Sequence, residues 1–497
     1  MEPVSLSSVI DPRTPVIAGV GVATQHLDEP GAGDEALDLM VRATLAAAED
    51  SGAGAALLRA VERIAVPGGT WQYRDPGRLI GERIGAPKAR TVLVPPGTPQ
   101  QTLLNDAHRS VLAGELEVAL VVGGEAARRA ALARRAGITL HDTTQPDDVA
   151  PDELRLPTGD IVTKIEIEGG VSSAPAWFAL IDNALRAAEG RTIEEQRDEI
   201  ARLWAGFNEV ARTFLHAAFP EPRDAAWIRE PSPDNRPMAF PYNKWHCAQM
   251  NVDQAAAIIV CSIDAAAALG VERERVVFPL VALESSYSVP VSERADVHRW
   301  VGMELLGKAA AAHLGYPLAE IDHQEVYSCF PAAVRVQQRA LDLPLDGVPT
   351  ITGGETFAGG PWNNFVLQTT AAMVERVRAE PGSTGMVTTV SGLLNKPGLA
   401  VYSTHHDREL LLDDLAAENE RAAARIPAVS GYDGAARVVT YTVSYDGMDP
   451  VRTSIIADTA DGERVVASCD DRELAEHVTR EELVGETVHV RGTTFTV

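Results

Sequence analysis

From Pro15 to Thr404 the chain repeats one local pattern: a short apolar run rich in β-branched residues, a Gly or Pro break, and a stretch with apolar residues at helical spacing. Runs such as PVIAGVGVAT (Pro15 to Thr24), ARTVLVP (Ala89 to Pro95) and EVALVVGG (Glu117 to Gly124) are apolar on both faces. Parallel strands covered by helices on both sides have that texture. Between them, Asp34 to Asp50 places Leu37, Met40, Val41, Leu45 and Ala48 at helical spacing behind capping aspartates and stops at Gly52 and Gly54. The fold class is therefore α/β. Two parts echo each other: a helix from Thr102 to Leu112 followed by GELEVALVVGGE, and a helix from Leu367 to Arg378 followed by GSTGMVTTVSG. The echo fits a duplicated unit and equally fits the similarity that any two βαβ segments share.

At ~150 residues per domain, 497 residues make about three domains, and the texture places the seams. Residues 126–240 turn to Arg- and Glu-rich helices, with a clear amphipathic one from Glu194 to Leu215, and to the Pro-rich loop EPSPDNRPMAFP. This stretch reads as an insertion into a first half formed by 1–125 and 241–275. A second half spans 276–406, and a charged helical linker spans 407–434. The remainder, 435–497, is dense in alternating strands with one helix, DDRELAEHVTREEL, before the last strand region. That order suits a small, partly open β-barrel of the oligonucleotide/oligosaccharide-binding type.

Asp and Glu number 70 against 44 Lys and Arg, a formal charge of −26, which argues against nucleic acid and anionic membrane surfaces as partners. No apolar stretch approaches the ~20 residues of a membrane span, and MEPVSLSSVIDPRTP lacks a secretory pattern, so a cytoplasmic location is expected. Cys247, Cys261, Cys329 and Cys469 lie far apart with no CxxC spacing; neither a metal site nor a disulfide framework is expected.

Three ordered segments carry a resemblance: PYNKWHCAQMNVDQAAAIIVCS (Pro241 to Ser262), EVYSCFPAAVRVQQRALDL (Glu325 to Leu343) and TGGETFAGGPWNN (Thr352 to Asn364). Together they resemble the thiolase superfamily, in particular sterol-carrier-type thiolases and the actinobacterial thiolase-like proteins that add a C-terminal β-barrel. The resemblance covers nearly the whole chain. It implies a five-layered αβαβα core of two similar halves, an inserted loop domain, and a coenzyme A thioester site between loop domain and core. It also implies an acetyl-CoA acetyltransferase homologue, an acyltransferase scaffold of lipid metabolism with CoA as ligand or substrate moiety and no further cofactor.

Thiolase chemistry needs a cysteine nucleophile, a histidine that lowers its pKa, an acid/base cysteine and an oxyanion hole. By the family's pattern the nucleophile falls at Gly97, in VPPGTPQQTLL; Thr98 beside it reads as a helix cap ahead of Pro99. The family's Gly-His-Pro aligns with Gly359-Gly360-Pro361, and its Cys-x-Gly with Val390-Ser391-Gly392. All three catalytic side chains are missing. The oxyanion-hole motif aligns with Tyr327-Ser328-Cys329-Phe330, similar to the Tyr-Asp-x-Phe of thiolase-like retro-aldolases except that Ser328 replaces Asp. Tyr327 is the one candidate catalytic residue; a phenol with pKa near 10 needs a tuning partner, and His323 and Glu325 are the nearest titratable groups in sequence. His246 and Cys247 look like a dyad, but neighbours on an extended chain point apart. By resemblance they and Met250 line the pantetheine path, with phosphates near Arg128, Arg129, Arg134 and Arg135. Cys261, Cys329 and His108 read as core residues. Two functions follow as expectations: a CoA or acyl-CoA binder without thiolase activity, or an enzyme of altered chemistry, such as a retro-aldolase or acyltransferase, that uses Tyr327. As to assembly, either a monomer or a homodimer is consistent with the sequence.

Overall fold

The structure, a computed structural model, describes residues 10–497; the first nine residues of the expected first half lie outside the described part. The first half runs β1 (Pro15–Gln25), α1 (Ala36–Asp50), α2 (Ala55–Arg59), β2 (Arg63–Pro67), α3 (Pro76–Ile84), β3 (Arg90–Val94), α4 (Gln100–Leu112) and β4 (Val118–Ala126). The insertion then supplies α5 (Ala127–Ala136), β5 (Glu153–Leu154), α6 (Lys164–Glu168), α7 (Ala174–Ala188), α8 (Ile193–Ala211), α9 (Ala225–Arg229), β6 (Pro237–Ala239) and β7 (Tyr242–Asn243) before β8 (Asp253–Ser262) and α10 (Ile263–Leu269) complete the half. The capping signals of α8 are present as a Thr192–Glu195 capping box. In contrast, α1 begins at Ala36 behind Glu35 without a side-chain cap, and Leu45 on its outer face is exposed.

The second half runs β9 (Phe278–Glu284), α11 (Val301–Leu314), β10 (His323–Glu325), α12 (Pro331–Ala340), α13 (Gly354–Phe357), α14 (Phe365–Ala379), β11 (Thr384–Ser391) and β12 (Lys396–Ser403). Its sheet decides the question of duplication. The first sheet has the order β1-β8-β4-β2-β3-β5, and the second β10-β11-β12-β9, continued at its far edge by one more strand. Matching β1, β8, β4 and β2 with β9, β12, β11 and β10 gives one strand order twice. In each half the last strand, β8 or β12, runs antiparallel to both of its neighbours. Accidental βαβ similarity does not reproduce that reversal.

Helices α4 and α14 lie between the sheets: α4 packs on β8, β9 and β12, and α14 on β1, β8, β11 and β12. With α1 and α3 outside one sheet and α11 outside the other, the layers are αβαβα. Close packing explains the glycines of β1. A Cβ at Gly19 would lie 2.1 Å from the Ala47 carbonyl oxygen, so α1 sits directly on that strand.

The 407–434 stretch is no free tether. Leu411 to Asp414 forms β13 (Leu411–Asp414), which pairs parallel with β9 and extends the second sheet, and α15 (Ala416–Ala422) follows. The terminal domain contains β14 (Asp433–Asp446), β15 (Asp449–Thr459), β16 (Arg464–Cys469), α16 (Arg472–His477), β17 (Thr487–Arg491) and β18 (Thr494–Thr496). What reads as one last strand region, ETVHVRGTTFTV, turns at Gly492 with φ +63 and makes two strands. The barrel is therefore closed with five strands, because β14 is long enough to pair with both β15 and β17.

The barrel core, with Val438, Tyr441, Ile455, Val465 and Val490, is a cluster of its own that also takes in Ile193 and Phe240 from the insertion. Outside the barrel, Ile456 and Val466 belong to the main core instead. Strand β6 adds to β14 at Ala239, and Asn183 of α7 donates to the Tyr441 and Phe240 carbonyls at 2.9 and 3.2 Å. The barrel is thus built into the insertion rather than hung from the end of the chain.

Candidate functional site

Three loop segments and two helix starts meet where the halves face each other. The strand-like stretch after His246 is the spine. Ala248 N donates to Cys329 O at 2.9 Å, Gln249 N to Glu355 O at 3.1 Å, and Gly360 N to Gln249 O at 3.0 Å. Thr356 Oγ1 donates to Cys247 O at 3.1 Å. The three motifs, far apart in sequence, are thereby laced into one surface. The start of α4 joins them through Gln100, whose side-chain oxygen accepts Val366 N at 2.8 Å and whose amide donates to Asn363.

Around this convergence lie Gly97, Gly360 and Val390-Ser391, the positions to which the resemblance assigns the three catalytic groups. Gly97 precedes α4 with φ +109; a Cβ there would meet Pro157 at 3.0 Å and Ile161 at 3.4 Å, so the insertion covers it. The helix starts at Gln100 with Pro99 at the cap position and no side-chain cap, so Thr98 does not serve as one. Gly360 is packed against Ala248 and Glu355, whose Oε2 would lie 3.3 Å from an added Cβ. Val390 and Ser391 end β11, and Ser391 is in register with Lys396.

Tyr327 lies on the same surface. Its backbone is pinned: its N–H donates to Thr388 Oγ1 at 2.9 Å and its carbonyl accepts Gln337 Nε2 at 2.9 Å. The residues nearest in sequence do not tune it. His323 turns to Glu380 at 3.1 Å, and Glu325 is spent on Thr350, Ile351 N and Thr352 N, where burial lifts it to about 7. The group that faces the phenol is Glu355, 28 residues further on. It is 4% exposed, its N–H is held by Ser328 Oγ at 3.1 Å, and its Oε1 has no hydrogen-bond partner. Burial raises its carboxyl to about 8, with the neighbouring Tyr327 phenol opposing the shift and Glu325 reinforcing it. Burial and the neighbouring Glu355 together hold the phenol well above its usual range.

Sequence reasoning missed Glu355 and a second group, Lys396. The Lys396 ammonium, 1% exposed as a residue, donates to Gly97 O at 2.8 Å and to Thr158 O, and burial lowers its pKa. Both had a signal in the sequence: a charged residue inside an otherwise small or apolar stretch, TGGETFAGG and NKPGLAVYS.

His246 and Cys247 form no dyad. His246 Nδ1 accepts Asn243 N at 3.0 Å and burial depresses the ring to about 3, while Cys247 donates to Asn243 O at 3.4 Å. The thiols of Cys247 and Cys329 are both pushed up by burial, and Cys261 to about 12. None is activated as a thiolate. His108 is a core residue, with both ring nitrogens unpartnered and the ring depressed to about 3 by burial. Met250 and Trp362 stand exposed at the rim, and Trp362 has φ +47. Phe357 packs away on Trp245, with ring centroids 6.1 Å apart.

Helix α5 starts beside this rim, with Ala127 N on Val252 O at 3.1 Å. Arg128 is engaged by Asp28 and the Leu27 carbonyl, and Arg129 by Asp142 at 2.6 Å and the Gly33 carbonyl. Arg134 and Arg135 are exposed and have no ion pair among the described residues. A hollow of about 270 Å³ lined by Tyr287, Arg294, Trp300, Lys308 and Asn395 lies on the α11 side, distinct from the motif surface. Among the described residues no cluster of His, Cys, Asp and Glu could hold a metal, and no helix is long and apolar enough to cross a membrane.

Comparison with solved structures decides the fold. A monomeric SCP2-thiolase-like protein type 1 from Mycobacterium smegmatis matches with a TM-score of 0.83 and 27% identity, over 98% of this chain and 99% of that one. The fold is thiolase-like. Two further structures match over 80% of the chain: the Ltp2-ChsH2(DUF35) aldolase, with a TM-score of 0.57 and 18% identity over 100% of its chain, and the dimeric peroxisomal thiolase of Saccharomyces cerevisiae, with 0.56 and 14% over 98%. Residues 414–494 match the family described as thiolase-like protein type 1 additional C-terminal domain, a range that takes in the barrel up to the start of β18. None of the curated proteins matches the sequence. A thiolase-like core with this extra domain is what the sequence resemblance implies.

Proposed function

We propose that this thiolase-like protein binds coenzyme A or its acyl thioesters and does not perform thiolysis or Claisen condensation. The observation that supports this most is the site itself: Gly97, Gly360 and Val390-Ser391 stand at the positions of the nucleophile, the activating imidazole and the acid/base thiol. The two cysteines that do lie on the motif surface, Cys247 and Cys329, are held as buried thiols. Three groups that act as a unit are gone, and loss of even one costs several orders of magnitude.

On this reading the pantetheine passes the stretch from His246 to Met250 toward Tyr327, and the phosphates lie near α5. Of the four arginines there, Arg128 and Arg129 are committed to neighbours, so Arg134 and Arg135 are the ones to meet phosphate. A cytoplasmic role in lipid metabolism accords with that ligand class. The second reading, an enzyme of altered chemistry such as a retro-aldolase or acyltransferase, draws its support from Tyr327 and the Glu355 carboxyl that faces it.

The test combines calorimetry with a thiolysis assay. CoA and acetyl-CoA are expected to bind, and charge reversal at Arg134 and Arg135 together to weaken binding by about tenfold or more, since ~1.4 kcal/mol is one decade. Salt should weaken the wild type more than the double variant. Acetoacetyl-CoA is expected not to be cleaved. Gly97→Cys should also remain inactive, because the new side chain meets Pro157 and no imidazole stands at Gly360. Turnover at ordinary enzyme rates, ~1 to 1000 per second, would overturn the proposal.

A further inference from the structure

We infer that the hollow between α11 and α15 is a binding site for a small monocarboxylate with a compact apolar body, held by Arg294 and Lys308. The site stands apart from the coenzyme A reading, because none of its lining residues belongs to the three motifs.

The hollow is built by the segment that follows the second half. Helix α15 and its end supply one wall, through Asn419 and the alanines 422–424. Backbone bonds fix that wall to the one facing it: Ala295 N donates to Ala424 O at 3.2 Å and Ile426 N to Glu293 O at 2.9 Å. Where α15 crosses the start of α11, a Cβ at Gly302 would lie 2.6 Å from Asn419 Nδ2, which donates to Ser285 Oγ at 3.0 Å. Asn395 is held in the same way, by Ser288 Oγ at 3.1 Å and Val289 O at 3.0 Å. The space is therefore preformed. Its volume of about 270 Å³ is near the lower end, roughly 300 Å³, of ligand pockets, so the guest is small.

Charge selects what enters. Two carboxylates and three cations line the hollow, and Arg299 takes both carboxylates, Glu304 at 2.8 Å and Asp296 at 3.3 Å. Arg294 and Lys308 are left without a carboxylate partner among the described residues. Arg294 is only 7% exposed; its Nε and Nη2 donate to Val289 O at 3.1 Å and Leu393 O at 2.6 Å, and its Nη1 has no partner. The carboxylate that acts on it, Glu166, already accepts Ser292 N at 2.8 Å and Thr163 N at 2.7 Å. A buried cation without a counter-ion is costly, and a guest anion supplies the one that is missing. In a chain of charge −26, a hollow with more cations than anions is also a local reversal of the surrounding field. The remaining walls, with Trp300, Leu305 and Leu394, are apolar, which suits a carboxylate carrying an apolar body and not a phosphate hydrated on every side. Lys308 is exposed on α11, and its flexible stem lets the ammonium meet the second carboxylate oxygen.

Calorimetry on the full chain tests this with benzoate and cyclohexanecarboxylate. Saturable binding of at least one is expected. Benzamide, the uncharged counterpart of benzoate, should bind about tenfold or more weaker, the scale on which a charge-assisted hydrogen bond is lost. Lys308→Glu should weaken binding by a similar factor, and Ala423→Trp, which fills the hollow from α15, should abolish it. Thermal melts establish that both variants are folded; Lys308 is exposed, so its variant decides the matter even if the tryptophan is not accommodated. Saturating CoA should leave the benzoate affinity unchanged, and benzoate binding in a protein that fails to bind CoA would support this site while overturning the other reading. No saturable binding of either carboxylate, or equal affinity in the wild type and Lys308→Glu, would overturn the site. Benzamide binding as tightly as benzoate, or inorganic phosphate displacing benzoate at equal concentration, would overturn the ligand class.

Discussion

Glu355 and Lys396 are two buried titratable groups whose ionisation is set by the loss of water around them. For Glu355 the linkage to stability has a definite sign. An unfolded carboxyl titrates near ~4.3 and the folded one at about 8, so between those values the folded state keeps a proton the unfolded state releases, and stability falls as pH rises through that window. Glu355→Gln removes the titration. Relative to that variant, the wild type is expected to lose on the order of a few kcal/mol between about pH 5 and about pH 9, measured by urea denaturation at several pH values. Equal slopes for both proteins would contradict the assignment. Lys396 holds the Gly97 and Thr158 carbonyls together and has no carboxylate partner among the described residues. Lys396→Met keeps the bulk and strands two acceptors, so a loss of roughly 2 to 4 kcal/mol is expected, together with faster proteolysis between residues 155 and 163.

Among the elements, β5 has an effect out of proportion to its two residues. It pairs parallel with β3 at Glu153 and Leu154, and Arg155 N adds a bond to Leu93 O at 3.0 Å, so the chain's own insertion covers the β3 edge and leaves a two-residue strand at the end of the sheet. So short an edge strand offers little ladder to a second copy. The protein is therefore expected to elute as a monomer in size-exclusion chromatography. Arg155→Pro, which removes the bond to Leu93, should favour concentration-dependent association. Dimer at all concentrations in the wild type would show that another face pairs the subunits. Helix α7 plays the complementary part: Asn183, buried under the barrel, feeds two backbone carbonyls at once, and Thr440 returns a bond of 2.6 Å to Leu180 O.

At the scale of the whole molecule the barrel is a structural wall. Arg464, 1% exposed, reaches from β16 to the Arg294 and Ser292 carbonyls of the second half, and Arg186 of α7 pairs with Glu482. Gly170 lies so close to the barrel that a Cβ would meet Ser468 Oγ at 2.8 Å. Cutting the chain near His406 would uncover apolar and polar surface on the insertion and the second half, and would also remove β13 from its sheet. Such a truncated protein is expected to pellet on expression, contrary to what a small interface would allow. A soluble, monodisperse product would show that the core stands without the barrel.

Much of this was written in local order. Apolar runs with helical stretches between them specify an α/β core, because strand and helix periodicities bury different faces. The ordered motifs marked out the three segments that backbone hydrogen bonds lace into one surface. Local patterns could not show that the echoing segments are a true duplication, since strand order and the reversal of β8 and β12 exist only once sheets form. Nor could they pair residues 28 apart: sequence proximity nominated His323 and Glu325 for Tyr327, whereas backbone hydrogen bonds through Ala248 and Gln249 bring Glu355 to it. The closure of the barrel at Gly492, the strand inside the linker and the ion pairs that occupy Arg128 and Arg129 were likewise decided by partners distant in sequence. The sequence by itself determined which residues are apolar, which turn and which side-chain types stand in the three motifs. Only the tertiary structure decided which polar groups lose their water together, because burial is a property of neighbours that the chain order does not contain.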